Sequence, residues 1–543
     1  RCHRARCAVQ WESTSLERKT AFKARTFMEF WSTISLFAFG LTLVVIMLTL
    51  LHRVYRDLLT VKSPPPELAR FPRYGAVSPW EQRNVDQETD FAYQVLDIRK
   101  QLPSSPIVLV RRYGIPVLYV FDLDSIKVIM NDTATFGRNR HEYDLMKSVI
   151  GDGLITQEGA IHRLHRHFVD PAFKYSSLKA VLPLFSSTTD EFVQMWKDSI
   201  AAGGGTVQAD IYMSFLKLTL DIIGKAAFGI DFDSLSEDAT SPGAQAAAAL
   251  IDLQASAMPP TVAMLLAAYP SIFGKLASLP IGPGAKRAQG LLVMDNLVYG
   301  VIAAKRKSIE EGVTRGDGVR DMLDLLLEET GPDKLTDRQI LEHVKTVLFA
   351  GHHTTTSLLT FLFLCLADQP TVLARVRKEI KDVIGNSLDI ANAHVNKLPY
   401  LTAIIRETLR MYSPVAKVAR SVDCDTELMG EFLPAGTNVD VCMSAIHMDP
   451  AYWPEPEKFD PERWMPGSAT PANIKAYMPF IHGPRNCIGS KFFMMEAKVI
   501  LCKILPQFDF NMPQEQLKAT KRALHFTIKP DPKPVMTLSI AAM

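Results

Sequence analysis

None of the seven cysteines, at positions 2, 7, 365, 424, 442, 487 and 502, forms a Cys-x-x-Cys pair. A zinc site and a disulfide framework are therefore unexpected, and five of these thiols fall in segments expected to face the reducing cytosol. The net charge is only +2, so no bulk field points to nucleic acid. No Gly-x-Gly-x-x-Gly opens a strand–helix unit, so nicotinamide and flavin chemistry would have to reside on another protein. After residue 75 no linker-like stretch divides the chain. One large domain, mainly α with small β-sheets, is expected over residues 76–543, although length alone would allow more. Residues 175–330 are helical in pattern, broken at Gly203-Gly204-Gly205, at Ser241-Pro242-Gly243 and between Gly312 and Asp321, and carry no catalytic motif.

Long apolar runs are scarce, and the clearest is Trp31 to Leu51, 21 residues without a charge. At about 1.5 Å per residue this reaches roughly 30 Å, the thickness of a bilayer core. With no small-residue cleavage site after it, and Arg53 and Arg56 as a stop, it reads as one transmembrane anchor. The basic segment 1–30 precedes it. Met28 is expected as the native start, with residues 1–27 an extension; Arg53, Arg56 and Lys62 then place the body on the cytosolic side. Residues 52–75, with Ser63-Pro64-Pro65-Pro66, Pro72 and Gly75, are expected as a stiff extended linker. Ile107–Val110 and Val117–Phe121 read as a short hairpin across Tyr113-Gly114-Ile115-Pro116.

Near the C-terminus stands Phe480-Ile481-His482-Gly483-Pro484-Arg485-Asn486-Cys487-Ile488-Gly489, followed by a helical run from Lys491 to Leu505. A lone cysteine is as a rule a small buried hydrophobe. Here glycines let the backbone come close to a partner, and the helix start behind Cys487 offers amides and a positive dipole end that lower a thiol pKa. Phe480 would wall the loop, and Arg485 can pair with an anionic group beside a metal. The spacing Phe-x-x-Gly-x-Arg-x-Cys-x-Gly resembles the haem-binding loop of the cytochrome P-450 superfamily. The resemblance implies a P-450 fold behind one N-terminal transmembrane helix, with haem b (iron protoporphyrin IX) bound through the Cys487 thiolate.

Other motifs follow in family order. Ala350-Gly351-His352-His353-Thr354-Thr355-Thr356 sits inside a long apolar helix that starts at Leu335-Thr336-Asp337 and stops near Pro370. It is similar to the family's oxygen-activation motif, which implies proton management by Thr354. His353 stands where that motif has an acid, and a histidine can relay protons near neutral pH. His162 and Arg166 lie four apart on one helix face and match the family's propionate-binding pair, with His in place of Trp. Arg163, His165 and His167 could form a docking face for an acidic redox partner. Arg420 matches a further propionate-binding position. Glu407 and Arg410, three apart, together with Arg463 in Phe459-Asp460-Pro461-Glu462-Arg463-Trp464, match the family's structural Glu–Arg–Arg network. Pro414 to Ala419 and the apolar residues Met258, Pro259, Pro260, Met264, Leu265, Leu266 and Phe273 are expected to line and roof a substrate pocket.

The resemblance implies a microsomal haem-thiolate monooxygenase, single-pass in the endoplasmic reticulum membrane. It would insert one oxygen atom from O2 into a lipophilic small molecule. Electrons would come from NADPH through NADPH–cytochrome P-450 reductase, with cytochrome b5 as a second donor. A reductase-independent isomerase or dehydratase is the alternative within the class, and a non-catalytic haem-binding protein the alternative outside it. Relatives of the rearranging kind often lack the helix threonine; Thr354 is present.

Overall fold

The structure, a computed structural model, describes residues 49, 66–73, 91–112, 115–236, 240–255, 283–312, 320–328, 334–385, 390–468, 470–524 and 527–541. The expected anchor at 31–51 apart from Thr49, the basic segment before it, most of the linker and the apolar residues between 258 and 273 lie outside them. Two units separate, residues 1–63 with 113–115 and residues 64–112 with 116–543. The second holds the candidate site.

Residues 66–73 do not form the extended linker expected of them. Pro66–Leu68 make a 3-10 turn, the backbone N–H of Leu109 donates to the Pro72 carbonyl at 2.9 Å, and Leu68 and Phe71 are buried. Two apolar side chains in a proline-rich stretch are enough to fold it against the body. The neighbouring strands are β1 (Ile107–Arg112), β2 (Ile115–Val120), β3 (Phe136–Arg138), β4 (Val418–Val422) and β5 (Asn438–Val441). They form one sheet in the order β1-β2-β5-β4-β3. β2 and β5 are parallel; β4 is antiparallel to both neighbours and sets Arg420 opposite Arg138.

The helices that position the site are α1 (Leu123–Asn131), α2 (Gly159–Val169), α3 (Tyr175–Ala202), α4 (Ile211–Phe228), α5 (Asp337–Asp368), α6 (Pro399–Met411) and α7 (Ser490–Ile504). α5 starts at a capping box: the Gln339 N–H donates to Thr336 Oγ1 at 3.3 Å and the Thr336 N–H to Gln339 Oε1 at 2.9 Å. Among the described residues it is the one helix long and apolar enough to cross a membrane, but 83% of its apolar window is buried inside the protein. It is a core helix. α5 packs on α4, and α7 on α3, through ring contacts such as Phe215–Phe363 and Phe185–Phe492, both with centroids 4.9 Å apart.

A second sheet contains one strand that was not expected. Thr206–Asp210, in the stretch read as helical, pairs with Val535–Ile540, which also pairs with Phe508–Asn511. Five residues after a triple glycine carry little period-2 signal, and the partner strand lies at the far end of the chain.

Candidate functional site

The cysteine loop is built by its glycine and its backbone. Gly483 has φ +78°, and a Cβ there would sit 2.5 Å from the Met130 carbonyl oxygen of α1, so only glycine allows the loop to press on that helix. The Asn486 N–H donates to the Gly483 carbonyl at 3.0 Å and the Cys487 N–H to the Phe480 carbonyl at 2.8 Å. The Phe480 ring lies against Phe493, with centroids 5.7 Å apart. Cys487 keeps solvent-accessible surface, yet burial dominates its titration and pushes the thiol up, against the pull of the Gly489 amide and Arg166. The side chain is closely surrounded by protein yet keeps an open face. The helix start was expected to lower this thiol; desolvation outweighs it.

Arg485 shares the loop and donates from Nη1 to the Gln157 carbonyl at 2.6 Å. Around it gather Arg138 of β3, Arg420 of β4 and His162 of α2. Burial, then Arg138 and Arg420, bring Arg485 down to about 9; burial and Arg138 also lower Arg420. Burial, then Arg485, Arg138, Arg166 and Arg163, drive His162 down to about 3. Arg420 is 2% exposed, and the buried Nε atoms of Arg138 and Arg420 have no hydrogen-bond partner. The carboxylate that relieves them is Glu158, which raises both Arg420 and Arg485. Arg138 depresses both Arg420 and Arg485, and Arg420 depresses Arg485; positive charge crowded in this way fits a ligand that carries more than one negative charge.

Arg166, expected to join this group, turns elsewhere. Its Nε donates to Asp170 Oδ1 at 2.6 Å, and its Nη atoms to the Asn486 carbonyl and Oδ1 at 2.9 and 3.3 Å. It clamps the cysteine loop to α2. Arg138 was missed, because only the β3–β4 register brings it opposite Arg420.

The polar turn of α5 is held by hydroxyls. Thr354, Thr355 and Thr356 each donate to the carbonyl four residues back, at 2.7, 2.9 and 2.7 Å, a pattern that bends helices. Thr219 of α4 meets Thr356 Oγ1 at 2.8 Å and the His352 carbonyl at 3.1 Å. Gly351 permits the approach: a Cβ there would meet Ile223 Cγ1 at 2.9 Å. His352 is buried, with Nδ1 on the Leu348 carbonyl, and burial brings it down to about 4. His353 lies against Phe349, with centroids 5.5 Å apart, and its buried Nε2 has no partner. Burial, then His352 and Lys529, hold it well below the usual histidine range. It is thus neutral at physiological pH.

Glu407 is fully buried at the centre of a network. It accepts from Arg410 Nη2 and Nε at 2.8 and 2.9 Å, from Arg463 Nε at 3.3 Å, from Trp464 Nε1 at 2.9 Å and from the Asp460 N–H at 3.0 Å. Arg410 also reaches the His447 and Lys458 carbonyls. The triad read from the sequence is therefore larger, with Trp464 as an additional donor. Of the residues expected to line a pocket, Ala416, Val418 and Ala419 are buried.

A thiol on a glycine loop and a set of cations that one carboxylate only partly offsets, one of them in the same loop, are the donors that a haem requires. One supplies an iron ligand; the others can hold the two carboxylates of the macrocycle. The residues present fit that group.

The profile of the protein family described as cytochrome P-450 matches residues 80–536. Cytochrome P-450 monooxygenase 128 of Postia placenta is 29% identical, covering 74% of this chain and 78% of its own length. Cytochrome P-450 4V2 of Rattus norvegicus is 29% identical over 84% of this chain and 86% of its own. Cytochrome P-450 4c21 of Blattella germanica is 28% identical over 86% and 91%.

Proposed function

The chain belongs to the cytochrome P-450 family, and from that premise we propose how its own residues serve a haem-thiolate monooxygenase acting on a lipophilic small molecule. It is a monooxygenase of that family. Electrons come from NADPH through a separate reductase, since the sequence has no dinucleotide-binding glycine motif of its own. The balance is one O2, two electrons and two protons per substrate, yielding the hydroxylated product and one water. Bound haem supplies the iron at which O2 is reduced and its O–O bond cleaved, a step favoured by a thiolate ligand.

The residues divide the remaining work. Cys487 gives up its thiol proton on ligation. Arg138, Arg420, Arg485 and His162 hold the carboxylates. Thr354 donates to the Ala350 carbonyl and keeps its lone pairs for an incoming proton donor. His353, neutral and with Nε2 unpartnered, accepts and passes protons without becoming a stable cation. Glu407, Arg410 and Arg463 hold the framework.

The observation that carries this reading is the unbalanced cluster of Arg138, Arg420 and Arg485 around the cysteine loop. An apolar run at 31–51 supports a single-pass endoplasmic reticulum anchor with the body in the cytosol, and lipid-side entry suits a lipophilic substrate. The test is metabolite profiling of cells co-expressing the chain and an NADPH-dependent reductase under heavy-isotope dioxygen. A new product carrying one labelled oxygen is expected. An unlabelled isomer or dehydration product would overturn the reading in favour of rearrangement.

A further inference from the structure

α7 leaves the cysteine loop as an apolar helix, and in its middle stands Glu496, 1% exposed. Its Oε2 lies 3.1 Å from Thr355 Oγ1 of α5, and its Oε1 is buried with no hydrogen-bond partner. Thr355 Oγ1 also lies 2.9 Å from the Gly351 carbonyl. A hydroxyl has one proton to give, and here it faces two acceptors. One proton can serve both acceptors only as a weaker three-centre bond; each contact is a full hydrogen bond when Glu496 carries a proton and donates it to Thr355, which then donates to Gly351. An ionised Glu496 would take the Thr355 proton for itself and strip the Gly351 carbonyl of its hydroxyl.

Among the described residues no positive charge offsets the carboxyl. On its own helix, Lys498 donates to the Val395 carbonyl and Lys503 to Asp190 of α3. On α3, Glu191 pairs with Lys225. On α6, Arg410 is bound to Glu407 and Arg406 lies over Trp464. On α5, His343 bonds His165, while burial keeps His352 and His353 neutral. His394, on the short helix Asn392–Val395, takes the Ala391 N–H.

We propose that Glu496 is a positioning residue of the oxygenation reaction, acting in its protonated form through Thr355 to fix the Gly351 carbonyl and hence the turn that carries His353 and Thr354. Its proton is retained, not transferred to oxygen. Burial raises this carboxyl to about 8, so the turn is fixed below that pH and released above it. This rests on the monooxygenase reading only for its consequence, the coupling of electron use to product; the hydrogen-bond state of Glu496 does not depend on it.

The test uses purified haem-bound enzyme as wild type, Glu496→Gln and Thr355→Val. Infrared difference spectra between wild type and Glu496→Gln at about pH 7 should show the carbonyl band of a protonated carboxylic acid, lost by about pH 9. With reductase and NADPH, the fraction of electrons released as peroxide should rise severalfold in wild type over that range. In Glu496→Gln, whose amide donates to Thr355 at every pH, the fraction should stay flat and low. In Thr355→Val it should be flat and high. Absence of the band at neutral pH, or a Glu496→Gln profile that rises like wild type, would overturn the proposal. Should the chain fail to use NADPH at all, the infrared result still decides the state of Glu496, so the two readings fail separately.

Discussion

Replacing Glu407 by Ala should be among the most damaging single changes in the fold. The substitution removes both bonds to Arg410, at 2.8 and 2.9 Å, and leaves a guanidinium that is 1% exposed with the His447 and Lys458 carbonyls and the weak acceptor Met448 Sδ. Breaking one partner of a buried pair costs about 3–5 kcal/mol, because the other charge stays in a medium that cannot solvate it. Trp464 Nε1 and the Asp460 N–H lose their acceptor as well, each adding about 1 kcal/mol. Against a typical total of about 5–15 kcal/mol, the variant sits near the edge of folding. Urea unfolding of the haem-bound protein should show a large drop in midpoint with the slope unchanged.

The double variant Glu407→Leu with Arg410→Met separates the cost of an orphaned charge from the worth of the pair. It removes both charges together, so it should lie well above the sum of the single losses, by about 2–3 kcal/mol. Arg463→Lys, which touches the 3.3 Å bond to Glu407 and an exposed 2.9 Å bond to the Glu455 carbonyl, should cost only about 1 kcal/mol and remains measurable if Glu407→Ala does not fold. A Glu407→Ala protein within about 1 kcal/mol of wild type, or strict additivity in the double variant, would refute the reasoning.

Gly351→Ala pushes a Cβ to 2.9 Å from Ile223 Cγ1; a loss of about 1–3 kcal/mol is expected, mostly recovered by Ile223→Ala in the same unfolding assay. Arg138→Leu removes a charged donor from the carboxylate cluster and should weaken haem retention about tenfold, read by transfer of haem to an acceptor protein; unchanged retention would remove Arg138 from the site. His343 is bonded to His165 at 2.8 Å, and burial, with His165 a lesser contributor, lowers it to about 3. The unfolded chain takes up that proton near 6.5, so this contribution to stability is complete above 6.5 and drains away as pH falls toward 3. His343→Leu should flatten that part of the acid-unfolding curve, and an unchanged curve would count against it.

Local spacing is what a chain displays, and the cysteine loop and the polar turn of α5 are local. Gly483 is dictated by a positive φ and by the closeness of Met130, and the loop has to be short to bring Arg485 and Cys487 together, so the pattern can be read residue by residue. Glu407 and Arg410 are legible for the same reason, lying one helical turn apart. Arg138 is not: its place depends on antiparallel pairing between strands far apart in sequence. The same holds for the strand Thr206–Asp210, which exists because Val535–Ile540 lies beside it. Arg166 was found on the right helix, but a matched position does not say that Asp170 and Asn486 will also engage its guanidinium.

Three breaches of local rules meet in this one region. Gly351 weakens a helix interior, Glu496 puts a carboxyl in an apolar helix without a cation, and Arg138, Arg420 and Arg485 crowd positive charge where a single carboxylate relieves it. Each lowers the stability of the folded protein taken alone. Gly351 and Glu496 are two ends of one chain of hydrogen bonds through Thr355, and Glu496 belongs to the helix that starts three residues after Cys487. The arginines surround the same cysteine loop from the sheet side. Costs that were independent accidents of packing would be spread evenly over α3, α4 and the second sheet, where the unpartnered Thr188 hydroxyl of α3 is a small cost and the buried Asp221 of α4 is satisfied by Ser234. Their concentration around one thiol is what a site maintained against stability looks like.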